Sequence, residues 1–180
     1  MGSPKALLSW EGETFLDRLI GVMGSVCRQV IVVLGYHARE IRAGVHRDAT
    51  FVVNAAPERG QLSSLQCALR AMPAESDAFL FTPVDYPAIA ASTVVQLEAA
   101  LAEHGGALIA IPRYAGRRGH PVACRGRLAE EFLALPETGK ASEVIHAHLE
   151  QAVYVDVSDG GILTDIDDRQ AYEALLASRA

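Results

Sequence analysis

The residues with the clearest chemical potential are carboxylates that stand where apolar runs end. Asp85 follows the apolar run 78–84 and precedes Tyr86-Pro87. At the carboxyl end of a buried strand, a carboxylate can hold Mg²⁺ against nucleotide phosphates, because Mg²⁺ prefers one or two carboxylates, several waters and substrate oxygens. A helix cap is the alternative at this position, with Asp85 at the start of a helix that begins near Pro87.

A second acidic group, Asp165, Asp167 and Asp168, precedes the last predicted helix. Paired acids from two strand ends suit a nucleotide-bound Mg²⁺, so this group is a candidate source of a second metal ligand. The alternative is structural, because carboxylates before a helix interact favourably with its dipole.

The start of the chain supplies a candidate cation. The segment Gly2-Ser3-Pro4-Lys5 stands ahead of an apolar pair and has the composition of the second half of a phosphate-binding loop. Lys5 carries a compact positive charge on a flexible stem, which suits a phosphate group. A solvated surface lysine is the alternative interpretation.

Polar residues also stand between two predicted strands, in the run Arg117-Arg118-Gly119-His120-Pro121. The glycine allows the backbone to come close to a ligand, and the arginines and the histidine offer polar contacts. A mobile basic hairpin is the alternative.

A turn at residues 60–64 is a candidate nucleotide contact because it follows a strand and starts a helix. The free N–H groups at Gly60 and the hydroxyls of Ser63 and Ser64 are able to receive a ribose, a base or a phosphate. Alternatively, the serines only cap the helix. Asn54, at the tip of its own predicted strand, is either a turn residue or a nucleotide contact.

Short β-branched runs alternate with helical patterns along the chain. Strands are predicted over residues 29–35, 50–54, 78–85, 107–112, 121–124 and 152–157. Helices are predicted to begin at Thr14, at Ser63-Ser64 and at Ser92-Thr93, and to cover 128–135, 142–149 and 169–176. This alternation predicts an α/β fold with a mostly parallel, doubly wound sheet in three layers. Such sheets bind ligands at the carboxyl ends of their strands, where most of the candidate residues stand.

Length, charge and cysteine usage restrict the function. A chain of 180 residues with a formal net charge of -6 favours one domain over 1–180 and argues against general nucleic-acid or membrane-surface binding. Its three cysteines are far apart, which argues against a disulfide framework or a zinc site. No signal-peptide pattern or membrane-length apolar run is present, so we expect a cytoplasmic protein.

Taken together, these motifs resemble the MobA-like nucleotidyltransferases, which attach a nucleotide to molybdopterin-type cofactors, and most of all their cytidylyltransferase branch. The matching segments run in order through nearly the whole chain, at residues 1–8, 12–16, 54, 60–65, 85–87, 118–122 and 165–168. Each segment alone is weakly specific, and their collinear order carries the resemblance. It implies a Rossmann-like fold, similar to the nucleotidyltransferases and the A-type glycosyltransferases.

The resemblance also implies roles for the candidate residues. Lys5 would touch the nucleotide phosphates, and Asp85 would hold Mg²⁺ with Asp167 as the second ligand. The remaining nucleotide and cofactor contacts would come from Gly2, Asn54, Gly60, Ser63 and Ser64, and the pterin side from Gly119, His120 and Pro121.

The implied reaction is in-line attack of a terminal cofactor phosphate on the α-phosphate of CTP, with release of pyrophosphate. Use of GTP, or of another cofactor or a sugar phosphate, is the alternative within the same enzyme class. A non-catalytic nucleotide- or cofactor-binding maturation protein is the alternative outside it. A molybdoenzyme or its maturation factor is the macromolecular partner that the resemblance implies.

Two departures from the family pattern bear on these expectations. The family normally begins with an apolar strand, a glycine loop and an arginine, whereas this sequence starts at the Met-Gly that follows them. The domain is therefore expected to be N-terminally incomplete, without two ladders of hydrogen bonds and the phosphate cradle. Tyr86 stands where the family more often has a smaller or polar residue, which bears on nucleotide or partner preference.

Overall fold

Strands and helices alternate along the chain, as the pattern of apolar residues predicts. The computed structural model describes residues 4–178, so Gly2, expected to contact the nucleotide or cofactor, lies outside the described residues. The strands are β1 (Ser9–Trp10), β2 (Glu13–Thr14), β3 (Ile31–Leu34), β4 (Thr50–Val53), β5 (Ala78–Phe81), β6 (Ile109–Tyr114), β7 (Arg117–Arg118), β8 (Val122–Arg125) and β9 (Ala152–Asp156). The helices are α1 (Phe15–Gly24), α2 (Ala38–Gly44), α3 (Gln61–Ala71), α4 (Ala91–Glu103), α5 (Ala129–Ala134), α6 (Ala141–Ala147) and α7 (Arg169–Ala177). Among the helices of residues 4–178, none is both long and apolar enough to cross a bilayer.

The larger sheet has the strand order β5–β8–β6–β9, and β7 pairs with the last two residues of β6. Strand β8 runs antiparallel to β5 and β6, whereas β6 and β9 are parallel, so β5, β6 and β9 point in one direction. The reversed strand follows from the short connection after β7, because a parallel crossover needs about a dozen residues or more. The predicted α/β fold is confirmed, with β8 as an antiparallel member of a mixed sheet.

Helices cover both faces of the larger sheet. On one face, α4 packs against Ala110 and Ala123. On the other face, side chains of α3, α5 and α6 pack against Ile109 and Cys124. All four strand residues have no exposed surface, and their alternation follows from the period of two along a strand. The result is a three-layer arrangement with its most deeply buried core in β6 and β8.

The smaller sheet pairs β3 with β4 in parallel, with Ile31 opposite Thr50 and Leu34 opposite Val53. Side chains from α1 and α2 pack on one face of β3, where Val32 and Leu34 are buried. No residue of β4 is fully buried, so this sheet has a thinner core than the larger one.

An apolar cleft separates the two sheets. Strands β3 and β5 both line it, and within residues 4–178 neither strand pairs with the other. Its volume is about 1780 Å³, and α1 and α3 contribute much of the remaining wall. The cleft continues to the residues that follow β5, where Asp85 stands.

The predicted elements are present, but several of their boundaries differ from the sequence pattern: the strand predicted over 78–85 ends at Phe81, and the strand predicted over 107–112 covers Ile109–Tyr114. The Thr14 hydroxyl accepts a hydrogen bond from the Asp17 N–H and caps α1, as predicted. Helix α3 begins at Gln61 rather than at Ser63-Ser64, because Gly60 takes a positive φ of 83° and directs the chain into the helix earlier. Helix α4 begins at Ala91, six positions beyond Asp85, so the interpretation of Asp85 as a helix cap is wrong.

Candidate active site

Three carboxylates from two chain segments meet at the carboxyl end of β5. Asp85 lies in the segment after β5, and Asp165 and Asp167 lie in the extended stretch before α7. One ligand oxygen from each lies within 4.8 Å of the others. The Ile166 N–H donates a 2.9 Å hydrogen bond to the Asp85 carbonyl, which joins the two segments.

Side chains of an extended segment point alternately to its two sides, which explains why Asp165 and Asp167 both reach the cluster. Ile166 is only 1 % exposed and packs with Phe15 and Trp10 in the core. Because side chains alternate in an extended segment, its neighbours Asp165 and Asp167 point away from that core. Asp168 has a different task, since its carboxylate accepts a hydrogen bond from the Ala171 N–H and caps α7. The structural alternative for the acidic group, an interaction with the start of the last helix, therefore applies to Asp168.

The electrostatics of the cluster favour a cation. Burial raises the pKa of the Asp85 carboxyl, and the Asp167 charge adds to this effect. Burial and the charges of Asp85 and Asp167 also raise the pKa of Asp165. Oδ1 of Asp85 is buried and has no hydrogen-bond partner among the described residues. A divalent ion would supply the missing partner and relieve the repulsion between the carboxylates, so the donor set fits a hard cation with oxygen ligands.

Lys5 lies at the edge of this cluster. Its Nζ forms a 2.7 Å ion pair with Oδ1 of Asp167, and this contact holds the pKa of Asp167 below its usual range. The neighbouring residue Ala6 is buried in the core that packs against β3 of the smaller sheet. This packing fixes the backbone next to Lys5. The Lys5 side chain is 30 % exposed and its partner Asp167 is 71 % exposed, so this ion pair is accessible to solvent.

The connection from β7 to β8 is held against the segment that leads to the acids. The His120 N–H donates to the Ile162 carbonyl at 3.1 Å, and the Gly119 N–H donates to the Pro112 carbonyl at 3.1 Å. A Cβ atom at Gly119 would lie 2.2 Å from the Ile162 carbonyl oxygen, so this close approach requires glycine. Pro121 is buried behind the loop.

His120 forms a wall beside Asp85. Its ring lies against Tyr86, with ring centroids 4.7 Å apart and planes at 55°. Burial lowers the pKa of His120 against the opposing effect of the Asp85 charge, and its buried Nδ1 has no partner in residues 4–178. Arg117 and Arg118 form β7 and are exposed, so these two arginines belong to a basic hairpin, as the alternative interpretation of this run proposed.

The turn after β4 is organised by Asn54. Its Nδ2 donates to the hydroxyls of Ser63 at 2.8 Å and Ser64 at 3.1 Å, and its Oδ1 accepts from the Ala56 N–H at 2.9 Å. The Ser63 hydroxyl in turn donates to the Gly60 carbonyl. Asn54 is only 5 % exposed, and its polar atoms are engaged in the turn itself. Neither serine caps the start of α3, so the capping alternative is wrong.

Five of the predicted site residues line one cleft. They are Gly60, Ser64, Asp85, Gly119 and His120. Asn54 hydrogen-bonds the cleft-lining Ser64, and Lys5 pairs with Asp167, which lies beside the cleft-lining Asp85. The sequence places Asp165 in the acidic group, but the metal-ligand prediction selects only Asp167 from that group, whereas both carboxylates lie in the cluster. The Asp-apolar-Asp spacing around buried Ile166 is the signal that identifies Asp165.

Comparison with known proteins agrees with this geometry. The family model described as the MobA-like NTP transferase domain matches residues 1–153. Asp165 and Asp167 lie beyond the matched range. A "Probable molybdenum cofactor guanylyltransferase" from Bacillus cytotoxicus is 24% identical over 189 residues, which cover 99% of this chain and 90% of that protein.

Two crystal structures from mycobacteria are also similar. A homologue of Mycobacterium tuberculosis Rv0371c from Mycobacterium sp. strain JC1 is 29% identical, with a TM-score of 0.79 over 99% of this chain and 89% of that chain. Rv0371c in complex with manganese is 26% identical, with a TM-score of 0.75 over 98% of this chain and 94% of that chain. The chain therefore belongs to the MobA-like NTP transferase family and is a nucleotidyltransferase.

Proposed function

We propose that this protein transfers the nucleotide of a nucleoside triphosphate to the terminal phosphate of a molybdopterin-type cofactor. The observation that carries the proposal is the acidic cluster, in which Asp85 lies close to two further carboxylates and has a buried oxygen with no hydrogen-bond partner among residues 4–178. The family and the activity in the name of the Bacillus relative support the choice of acceptor. We assign the activity to one nucleotidyltransferase domain over residues 1–180.

We assign a divalent cation to Asp85, Asp165 and Asp167. When bound, such an ion neutralises the charge that builds up on the phosphates during transfer. Carboxylates and water suit both Mg²⁺ and Mn²⁺. Mg²⁺ is the ion that the sequence predicts, and the manganese complex of the mycobacterial relative supports a divalent ion more generally.

Lys5 has two partners in this scheme. Its ammonium forms the ion pair with Asp167. Once the Asp167 carboxylate takes part in ion binding, the Lys5 ammonium is free to contact the triphosphate as a point charge. The ion pair therefore holds the lysine near the position in which it is needed.

The remaining predicted residues divide between the two substrates. Gly60 and Ser64 line the cleft beside the nucleotide, and Asn54 and Ser63 position that turn. Gly119, His120 and Pro121 form the pterin side, where the neutral imidazole of His120 and the ring of Tyr86 offer an aromatic wall. A histidine with a lowered pKa is uncharged at neutral pH and is able to donate or accept a hydrogen bond.

The reaction joins the two substrates directly. An oxygen of the terminal acceptor phosphate forms a bond to the α-phosphorus of the nucleotide. The bond from that phosphorus to the bridging oxygen breaks, and pyrophosphate leaves with the electron pair. Transfer of this kind depends on positioning and on neutralisation of charge, which are the tasks that we assign to Lys5 and the acidic cluster.

Two nucleotides are candidates for the donor. The resemblance of the sequence favours CTP, whereas the relatives from Bacillus are named guanylyltransferases. We place GTP first because the Bacillus cytotoxicus relative matches 99% of this chain. CTP is the alternative, and the two are distinguished by the same assay.

The test is a transfer assay with purified molybdopterin cofactor, α-labelled GTP or CTP, and Mg²⁺ or Mn²⁺. We expect a labelled dinucleotide form of the cofactor and an equal amount of pyrophosphate with one nucleotide, and neither product without metal. Asp156→Asn is the control variant, because Asp156 forms an exposed ion pair with Arg113 outside the cleft. Transfer that is unaffected by removal of divalent ions would contradict the assignment of the acidic cluster.

A further inference from the structure

The segment between β9 and α7, residues 157–168, carries two of the three acids of the cluster and contacts the rest of the candidate site. Its Ile166 N–H donates a 2.9 Å hydrogen bond to the Asp85 carbonyl, and its Ile162 carbonyl accepts a 3.1 Å hydrogen bond from the His120 N–H. The position of this segment therefore sets where its two acids stand relative to Asp85.

Asp159 connects the 157–168 segment to helix α4. Its Oδ2 accepts hydrogen bonds from the Ala90 N–H at 2.8 Å and from the Thr93 hydroxyl at 2.7 Å. Its Oδ1 accepts a third hydrogen bond, from the Gly161 N–H at 2.9 Å, at the start of the 3₁₀ helix Gly160–Leu163. Both carboxylate oxygens are engaged, and one side chain holds together two helix starts that are distant in the sequence.

Helix α4 relies on this contact because its N-cap residue is Ala90, whose methyl group accepts no hydrogen bond. The first N–H groups of a helix lack partners within the helix, and a carboxylate placed there also interacts favourably with the helix dipole. The hydroxyl-bearing residue Thr93 has no exposed surface. Loss of the Asp159 carboxylate would thus leave a buried hydroxyl without this partner, which costs free energy.

Close backbone packing carries the position of Asp159 to the rest of the site. A Cβ atom at Gly161 would lie 2.0 Å from the Ala88 carbonyl oxygen, and a Cβ atom at Gly119 would lie 2.2 Å from the Ile162 carbonyl oxygen. The 3₁₀ helix is therefore in direct contact with the stretch that follows Asp85 on one side and with the His120 loop on the other. Packing of this density leaves little room for independent movement.

From these contacts we propose that Asp159 is a positioning residue for the candidate active site, which holds the 157–168 segment so that its two acids lie beside Asp85. The Asp159 carboxylate binds α4 and the 3₁₀ helix, so it acts through the backbone of the segment. The expected effect on transfer rests on the proposed function, whereas the effect on the geometry of the segment does not.

A purely stabilising role is the alternative. A carboxylate with three hydrogen bonds stabilises the folded chain as a whole, and its loss would then increase opening of the whole structure. Amides in all parts of the core would exchange faster by the same factor. The positioning role predicts a local effect instead, at the contact between Ile166 and Asp85.

Hydrogen exchange of single amides, measured by NMR without metal or substrate, separates the two roles. The reporter is the Ile166 N–H, and the reference is the Leu108 N–H, which donates to the Gln151 carbonyl beside β6. Thr93→Val removes one hydrogen bond of Asp159, and we expect it to speed exchange of Ile166 about tenfold and that of Leu108 less than about twofold. Equal acceleration of both amides would overturn the inference.

Asp159→Asn repeats the test at the carboxylate itself, because an amide has one acceptor oxygen in place of two. We expect the same local pattern, with a faster exchange of Ile166 than of Leu108. This second variant keeps the test decisive if the buried methyl group of Thr93→Val prevents folding. Unchanged exchange of Ile166 in Asp159→Asn would overturn the inference.

Gln66→Met is the matched control variant. The buried Gln66 amide donates to the Phe132 and Leu135 carbonyls, on the face of the larger sheet opposite α4. This change also removes hydrogen bonds of a buried side chain but leaves the 157–168 segment intact. We expect exchange of Ile166 and of Leu108 to change by the same factor. Faster exchange of Ile166 alone in this control would overturn the inference.

The consequence for the candidate site is measured by Mn²⁺ binding and by transfer kinetics. In Thr93→Val we expect the Mn²⁺ affinity and kcat to fall about tenfold, the lower end of the range for residues that orient metal ligands. Both quantities should be retained in Gln66→Met. Unchanged Mn²⁺ affinity in Thr93→Val would overturn the positioning role. A wild-type protein that binds no Mn²⁺ would contradict the proposed function, and the exchange result would then decide the inference on its own.

Discussion

The two sheets differ in how deeply they are packed, and the candidate site extends across both. In the larger sheet, Ile109, Ala110, Ala123 and Cys124 have no exposed surface. In the smaller sheet, β4 has no fully buried residue. In the acidic cluster, Asp85 follows β5 of the larger sheet, and His120 lies between β7 and β8 of the same sheet. The turn around Asn54 instead follows β4 of the smaller sheet.

This difference indicates a division of labour. The groups that handle charge are fixed by backbone contacts between distant segments, such as those from Ile166 to Asp85 and from His120 to Ile162. The turn that we assign to the nucleotide is held by side-chain hydrogen bonds from Asn54. We therefore expect the larger sheet to set the rate of transfer, and the smaller sheet to set stability and nucleotide affinity.

The largest effect is expected at Asp85. Asp85→Asn removes the charge that we assign to metal binding. We expect the transfer rate to fall on the order of 10²- to 10³-fold, as for other lost electrostatic stabilisers of a transition state. The free energy of unfolding should be unchanged or higher, because the variant relieves burial and repulsion of a carboxylate. Rate assays and denaturant unfolding measure the two quantities. A parallel loss of stability would show that Asp85 has a structural role.

The next effect tests the backbone contacts of the larger sheet. Gly119→Ala places a methyl group against the Ile162 carbonyl, and we expect the free energy of unfolding to fall by about 3 kcal/mol. Gly105→Ala is the matched control, because a Cβ atom there meets nothing within 4 Å. Urea unfolding of both variants checks the prediction. Equal stability of the two would mean that the loop is not held as closely as described.

A smaller loss is expected in the turn of the smaller sheet. Asn54→Ala removes three hydrogen bonds of a buried side chain, which predicts a loss of about 2 kcal/mol in the free energy of unfolding. The KM for the nucleotide should rise more than kcat falls. Gln29→Ala is the control, since the exposed Gln29 amide donates a hydrogen bond to the Thr50 hydroxyl on β4. A fall in kcat alone would contradict the assigned role of the turn.

The smallest effect concerns pH and the segment that leads into β4. Burial acts to raise the pKa of Asp17, but hydrogen bonds from the Arg47 N–H, the Thr14 hydroxyl and the His46 N–H hold it below its usual range. A lowered pKa contributes stability at neutral pH that is lost as the pH falls below about 4, because the unfolded chain binds the proton first.

Asp17→Asn should therefore lower the free energy of unfolding by about 1.5 kcal/mol at pH 7 and flatten its decline below pH 4. Thermal unfolding at several pH values measures both changes. Asp156→Asn, which breaks an exposed ion pair with Arg113, should change stability by no more than about 0.5 kcal/mol. If Asp17→Asn had the same pH profile as the wild-type protein, the Asp17 carboxylate would not be the source of the stability lost below pH 4.

Much of this architecture follows from local sequence patterns. The apolar runs predict the six longer strands but not the two-residue strands β1, β2 and β7. The apolar run before Asp85 also predicts its place in the segment that follows β5. The capping of α1 by Thr14 follows from the acid three residues later. These features depend on neighbours within one or two turns, so they can be recognised in the sequence.

The remaining features depend on contacts between distant residues. Lys5 and Asp167 are separated by 162 positions, and neither residue predicts the other. The need for glycine at position 119 arises from the Ile162 carbonyl, which belongs to a separate segment. The start of α3 was mispredicted because the serines resemble caps, whereas the conformation of Gly60 determines where the helix begins.

The assignment of the acidic cluster is tested most directly by electron paramagnetic resonance of Mn²⁺, in which binding reduces the signal of the free ion. The account predicts that the wild-type protein binds Mn²⁺, that GTP or CTP tightens this binding, and that Asp85→Asn loses it while Asp156→Asn retains it. Mn²⁺ binding of equal strength in Asp85→Asn and the wild-type protein would contradict the account.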